Sequence, residues 1–142
     1  YEISNFAVPA GQCRHNLRYW RNLPYLGLGP AAHSFDGWSR CSNETSFEKY
    51  AARLEAGELP VAGREKLTRQ TLLAETVFLG LRLREGLDLK AFAGRFGQAV
   101  EEVYRAELDR LLKLNLIEIK NNFLRLTPRA LPVANQVFAS FV

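Results

Sequence analysis

The chain has 142 residues, 47% of them apolar and 24% charged, with a formal net charge of +4. These fractions exclude disorder, collagen-like repeats and an extended coiled coil as descriptions of the whole, and they suit one medium domain or two small ones. No apolar run of about 18 residues is present to form a transmembrane helix. The two cysteines, Cys13 and Cys41, cannot build a disulfide framework, so a reducing, cytoplasmic setting is expected. No basic segment followed by an apolar stretch opens the chain, so no secretory signal is expected. The absence of Met and a strand-like start at Tyr1 lead to the expectation that this is a piece of a longer protein.

Charge is uneven along the chain. Six of the first 43 residues are charged, against 28 of the following 99. The first region holds both Trp, both His and both Cys, in short apolar runs broken by Gly and Pro. It reads as strands and loops, with strands expected at 2–6, 25–29 and around 33–35. Thr45 to Glu48 then fits a capping box, with Thr45 as N-cap of a helix that stops at Gly57. Residues 59–63 read as a connector. Thr68 caps the next helix, whose apolar positions Leu72, Leu73, Val77, Phe78, Leu81 and Leu83 form a stripe wide enough for burial between neighbours, ending near Gly86. Asp88 caps a short helix over 89–96, closed by Gly97. A long helix is expected over about 98–114, with Val100, Val103, Tyr104, Leu108 and Leu111 at spacings of three and four.

Residues 116–126 read as a β-hairpin turning at Asn121-Asn122, since Asn tolerates positive φ. That turn places Ile119 opposite Leu124, Ile117 opposite Leu126, and Glu118 opposite Arg125, so one face is apolar and the other carries an opposite-charge pair. The apolar face, all four residues, is expected to be buried. Thr127-Pro128 reads as N-cap and first residue of a closing helix. The sequence therefore divides into 1–43, a linking helix and connector at 44–66, and a mainly helical, winged-helix-like module with one β-hairpin at 67–142.

A winged helix raises the question of nucleic acid. The surface of 98–114 mixes Glu101, Glu102, Glu107 and Asp109 with Arg105, Arg110 and Lys113, and the region from 44 onward nets only +2. A phosphate-facing surface carries one dominant sign, so nucleic acid is not expected as a partner. Gly27 to Ala32 matches a G-x-G-x-x-A dinucleotide pattern, but Gly37 follows closely and no helix-forming stretch opens there. A tight strand end with close backbone approach is the better reading. Cys13, His15, His33 and Cys41 have no zinc-finger spacing. The run His15-Asn16-Leu17-Arg18-Tyr19-Trp20 is the most unusual feature. It gathers an imidazole, an amide, a guanidinium and two aromatic rings in six residues. Such a cluster can stack on a flat aromatic ligand and leave an imidazole for a metal, or serve as a buried aromatic anchor. As helix or as strand, His15 and Tyr19 share a face.

The stretches 1–7, Cys13 to Trp20 and Tyr25 to Phe35 together resemble the HemW branch of the radical SAM proteins, related to oxygen-independent coproporphyrinogen III oxidase. The stretches 79–88 and 124–129 resemble the HemN-type C-terminal domain of the same family. The resemblance runs through the whole chain in order. It implies an α+β chain in which 1–43 forms the last strands of a truncated radical SAM (β/α) barrel and 67–142 is the C-terminal domain. The family's C-x-x-x-C-x-x-C motif, which holds a [4Fe–4S] cluster binding S-adenosylmethionine, is not in this sequence. Catalysis is therefore expected to depend on residues outside it, and the stretch alone is not expected to be an enzyme.

The resemblance also implies roles. His15, Asn16, Tyr19 and Trp20 match the family's heme-binding stretch, with His15 as ligand to the heme iron. Leu17, Arg18, Ala32 and His33 fall where the related oxidase approaches S-adenosylmethionine. Arg18 or Arg21 can meet a heme propionate. The implied function is that of a heme chaperone delivering heme to a hemoprotein. The alternatives are porphyrin synthesis by oxygen-independent coproporphyrinogen III oxidation, and a non-catalytic interaction module. Exposed strand edges in 1–43 lead to the expectation of poor order or of self-association with a second copy.

Overall fold

The computed structural model describes all 142 residues. It is an α+β chain with two small antiparallel sheets. In chain order the elements are α1 (Arg14–Trp20), β1 (His33–Phe35), β2 (Ser39–Asn43), α2 (Phe47–Glu55), β3 (Val61–Lys66) and α3 (Arg69–Leu81). They continue with β4 (Leu87–Asp88), α4 (Leu89–Phe96), α5 (Val100–Val103), α6 (Arg105–Lys113), β5 (Ile117–Lys120), β6 (Phe123–Leu126) and α7 (Ala134–Phe138), the last flanked by short 3₁₀ turns. Contacts divide the chain into two compact units, Tyr1–Asn22 with Leu73–Val142, and Leu23–Leu72. This division differs from the one read along the sequence. The first 22 residues meet segments far along the chain, from Asn22 with Thr76 to Glu2 with Arg82, which no local pattern reports.

In the Leu23–Leu72 unit the sheet order is β1-β2-β3. Phe35 opposes Arg40 across β1 and β2, and Cys41 opposes Arg64 across β2 and β3. The expected strand at 25–29 is reduced to a single bridge between Tyr25 and Phe35. The rest of that stretch is held by the Asn43 side chain, whose Nδ2 donates to the carbonyls of Gly27 at 3.3 Å and Gly29 at 3.0 Å. Gly27 has no room for a side chain: a Cβ there would lie 2.2 Å from the His33 carbonyl oxygen. The 59–63 connector is instead the start of β3, because β2 offers it a free edge across a register shift at Ser42/Asn43. Ser46, not Thr45, caps α2; its Oγ accepts from the Lys49 N–H at 3.3 Å. Thr68 caps α3 as expected, accepting from the Thr71 N–H at 3.0 Å.

In the other unit the core gathers Val77 and Leu81 of α3 with Phe92, Val100, Leu108, Leu111, Ile117, Leu124 and Val137, each at most 2% exposed. α3 stops at Leu81, earlier than Gly86. Asp88 caps α4 as the sequence indicates, its Oδ1 accepting from the Lys90 and Ala91 N–H groups at 2.9 and 3.0 Å. The expected helix at 98–114 is two helices, broken at Tyr104, whose ring packs edge-on to Phe141 at 5.3 Å.

The β-hairpin turns at Asn121-Asn122, with φ of 51° and 67°, in the expected register. Glu118 and Arg125 pair at 2.8 Å. Burial of all four apolar residues fails: Ile119 is 44% exposed and Leu126 half-buried, while Ile117 and Leu124 are sealed. β6 is the central strand between β4 and β5, so β5 is an edge strand, and its end near the turn is exposed. Thr127 and Pro128 open the closing segment as expected, but it starts as a 3₁₀ helix, and the Thr127 side chain does not cap it: its Oγ1 donates to the Asn115 carbonyl at 2.8 Å. The expected strand at 2–6 keeps one bridge, Glu2 to Leu83, and the chain beyond Ser4 is exposed.

Candidate functional site

The six-residue run around His15 folds as α1, one of the two conformations its sequence allowed. Cys13 precedes it in extended backbone and supplies no side-chain cap, and no residue of the helix is fully buried. The helix is therefore fixed from its far end and its flank. Asn22, buried, donates from Nδ2 to Thr76 Oγ1 at 3.0 Å, and its carbonyl accepts from Arg95 at 2.9 Å. Burial of the Arg95 guanidinium lowers its pKa. Asn16 donates to the Tyr1 hydroxyl at 3.3 Å.

His15 and Tyr19, one turn apart, meet as the i, i+4 spacing requires. Tyr19 Oη and His15 Nε2 lie 2.9 Å apart, with the rings edge to face at 4.7 Å. The imidazole is exposed, and its Nδ1 has no partner in the chain. Trp20 points elsewhere. It stacks beneath the Arg82 guanidinium at 4.4 Å, a cation–π arrangement. Arg82 in turn pairs with the buried Glu2 carboxylate at 3.3 Å. Trp20 Nε1 and Arg82 Nε are both enclosed without an acceptor. Sequence reasoning missed Glu2 and Arg82, because residues 80 apart carry no mutual signal.

Leu17 and Arg18 lie on α1, the first half-buried and the second exposed. Ala32 and His33 belong to the other unit. Ala32 precedes β1, and the exposed His33 opens it opposite Ser42, beside a groove of about 370 Å³ that Arg40 and Arg64 also line. After Gly27 to Ala32 comes a strand, so the helix N-terminus that a dinucleotide pyrophosphate needs is absent. Cys13 and Cys41 are free thiols. No group of three His, Cys, Asp or Glu side chains gathers to hold a metal ion, so these residues do not fit a three-thiolate cluster. No helix is long and apolar enough to cross a membrane.

Residues 67–133 match the HemN C-terminal domain family. The chain is 32% identical over all 142 residues to heme chaperone HemW of Bacillus subtilis, covering 38% of that protein. It is 41% identical over 137 residues to heme chaperone HemW of Mycobacterium tuberculosis, covering 96% of this chain and 33% of that one. It thus spans about a third of the length of these relatives. Its fold is similar to that of coproporphyrinogen III oxidase (HemN) from Escherichia coli, a radical SAM enzyme, with a TM-score of 0.61 at 17% identity over 84% of this chain and 28% of that one. Residues 67–133 are thus similar to the HemN C-terminal domain family, in a chain similar along its whole length to part of the heme chaperones HemW.

Proposed function

We propose that this chain is the heme-holding part of a HemW-like chaperone, with His15 as ligand to the heme iron, Tyr19 beside it, and Asn16 and Trp20 on the same helix. Heme supplies an iron that takes a neutral imidazole as an axial ligand. The observation that carries the reading is the geometry of α1. A metal-binding histidine characteristically holds one ring nitrogen in a hydrogen bond and leaves the other to the metal. His15 has Nε2 on the Tyr19 hydroxyl at 2.9 Å and Nδ1 unpartnered, on an exposed face. For Nδ1 to bind iron, Nε2–H must donate to Tyr19 Oη, so Tyr19 selects the tautomer.

In the same reading, 1–43 completes a radical SAM barrel and 67–142 is a winged-helix-like cover. The [4Fe–4S] cluster and S-adenosylmethionine are held by residues of the whole protein other than the two cysteines here, with Leu17, Arg18, Ala32 and His33 toward the latter. Heme passes from α1 to an acceptor hemoprotein. Titrating the full-length protein with heme and following the Soret band tests the assignment. His15→Ala is expected to lose most of the spectral shift, and His33→Ala to lose less. Equal titrations for wild type and His15→Ala would remove His15 as the ligand.

A further inference from the structure

We propose that Arg82 is a positioning residue for the heme ligand, holding α1 through the Trp20 ring so that the His15–Tyr19 side of the helix is presented to heme; this rests on the reading of α1 as the heme site. The helix has seven residues, no side-chain N-cap and no fully buried residue. A helix that short does not hold itself in water, so its rotation about its own axis is set from outside. The sidedness follows from helix geometry. Tyr19 stands about 40° round the axis from His15, and Trp20 about 140°. His15 is accordingly exposed, whereas Trp20 Nε1 is enclosed. The Trp20 ring lies under the Arg82 guanidinium at 4.4 Å. An indole already covered by a cation is a fixed point for the helix rather than a surface for the macrocycle.

Arg82 can serve as that fixed point because it is itself held at both ends. Its guanidinium pairs with the Glu2 carboxylate at 3.3 Å, and the same nitrogen donates to Ser4 Oγ at 3.3 Å. The Glu2 side chain is sealed from solvent, and its other oxygen accepts from the Ser4 N–H at 2.8 Å and from Asn5 Nδ2 at 2.6 Å. The Arg82 carbonyl accepts from the Ile3 N–H at 3.0 Å. Backbone and side chain of Arg82 are therefore both tied to the N-terminal segment. The other ties of α1 act elsewhere. Asn22, bonded to Thr76 at 3.0 Å, pins the chain beyond Trp20, and Asn16 reaches the Tyr1 hydroxyl through one bond of 3.3 Å. Without the cation Trp20 is free to turn, and the imidazole meets iron over a range of angles.

The test is a double-mutant cycle in the full-length protein, read by Soret titration and by electron paramagnetic resonance of the ferric heme complex. One arm is Trp20→Leu. The other combines Glu2→Gln with Arg82→Met, which removes both charges at similar volume and leaves no buried carboxylate unpaired. Each arm is expected to weaken heme binding about fivefold, the scale of one cation–π contact, and to broaden the histidine-ligated spectrum. Combined, they should lose no more than either alone, because Trp20 acts through Arg82. Arg82→Lys, which keeps a cation for the ring and for Glu2, should retain most of the affinity and the wild-type spectrum. Losses that add would show Trp20 touching heme itself and overturn the Arg82 assignment. Variants with a lower melting temperature but wild-type affinity and spectrum would overturn it too, since Arg82 would then serve the fold alone. In both of those cases His15→Ala still loses most of the binding. Wild type that binds no heme, or His15→Ala that binds it as wild type does, overturns the heme reading and this proposal together.

Discussion

At the scale of single residues, the hydroxyl of Tyr19 lies 2.9 Å from His15 Nε2 and, in the proposed site, sets the imidazole tautomer. Removing it in Tyr19→Phe leaves the ring contact and deletes the hydrogen bond. Loss of one such bond corresponds to about 1 kcal/mol, so heme affinity should fall by about fivefold while the Soret position holds. An unchanged dissociation constant would show that the tautomer is set by something else. A second residue-scale prediction concerns Asp36, whose carboxylate accepts from the Trp38 and Ser39 N–H groups at 2.8 and 2.7 Å. Those bonds hold its pKa below the ordinary aspartate range. A depressed carboxyl contributes stability that is present above the ordinary aspartate pKa and lost as pH falls through the lower folded value. Amide shifts of Trp38 and Ser39 should therefore titrate together below the pH at which a free aspartate does.

At the scale of elements, the β-hairpin shows what alternation can and cannot report. Pairing and turn follow from the residues alone: two Asn at positive φ, an opposite-charge pair and apolar residues in register. Burial does not follow, because which end of β5 is covered is decided by the packing of elements distant in sequence, which alternation within the strand does not report. Ile117→Ala should then cost about 2–4 kcal/mol and Ile119→Ala under about 1 kcal/mol, in denaturant titrations. Equal costs would contradict the sheet order. Gly86 guards the same sheet at φ 99°, where a Cβ would fall 2.4 Å from the Leu124 carbonyl oxygen. Gly86→Ala should destabilise by more than about 1 kcal/mol.

Local chemistry was legible at several points: the Asp88 and Thr68 caps, the helix option for His15 to Trp20, and the close approach at Gly27. Less was legible where a partner distant in sequence decides the outcome. β3 looked like a connector because its pairing partner β2 carries no strand pattern of its own. The break at Tyr104 depends on Phe141, and the Glu2–Arg82–Trp20 stack on a contact 80 residues apart.

At the scale of the whole molecule, the two units are unequal in what they bury. Of the ten largest sealed side chains, Leu72 alone lies in Leu23–Leu72. Local opening is governed by such burial. Native-state hydrogen exchange should find its slowest amides in α4, β6 and the second half of α3, and faster exchange across β1 and β2. The reverse order would place the stable core elsewhere.

The central claim is that the exposed imidazole of α1 holds heme iron in a protein of HemW type. Electron paramagnetic resonance of the ferric heme complex reads the axial ligand directly. The full-length protein should give a histidine-ligated spectrum that His15→Ala abolishes and that added imidazole restores in the variant. A His15→Ala complex with the wild-type spectrum, indifferent to imidazole, would contradict it.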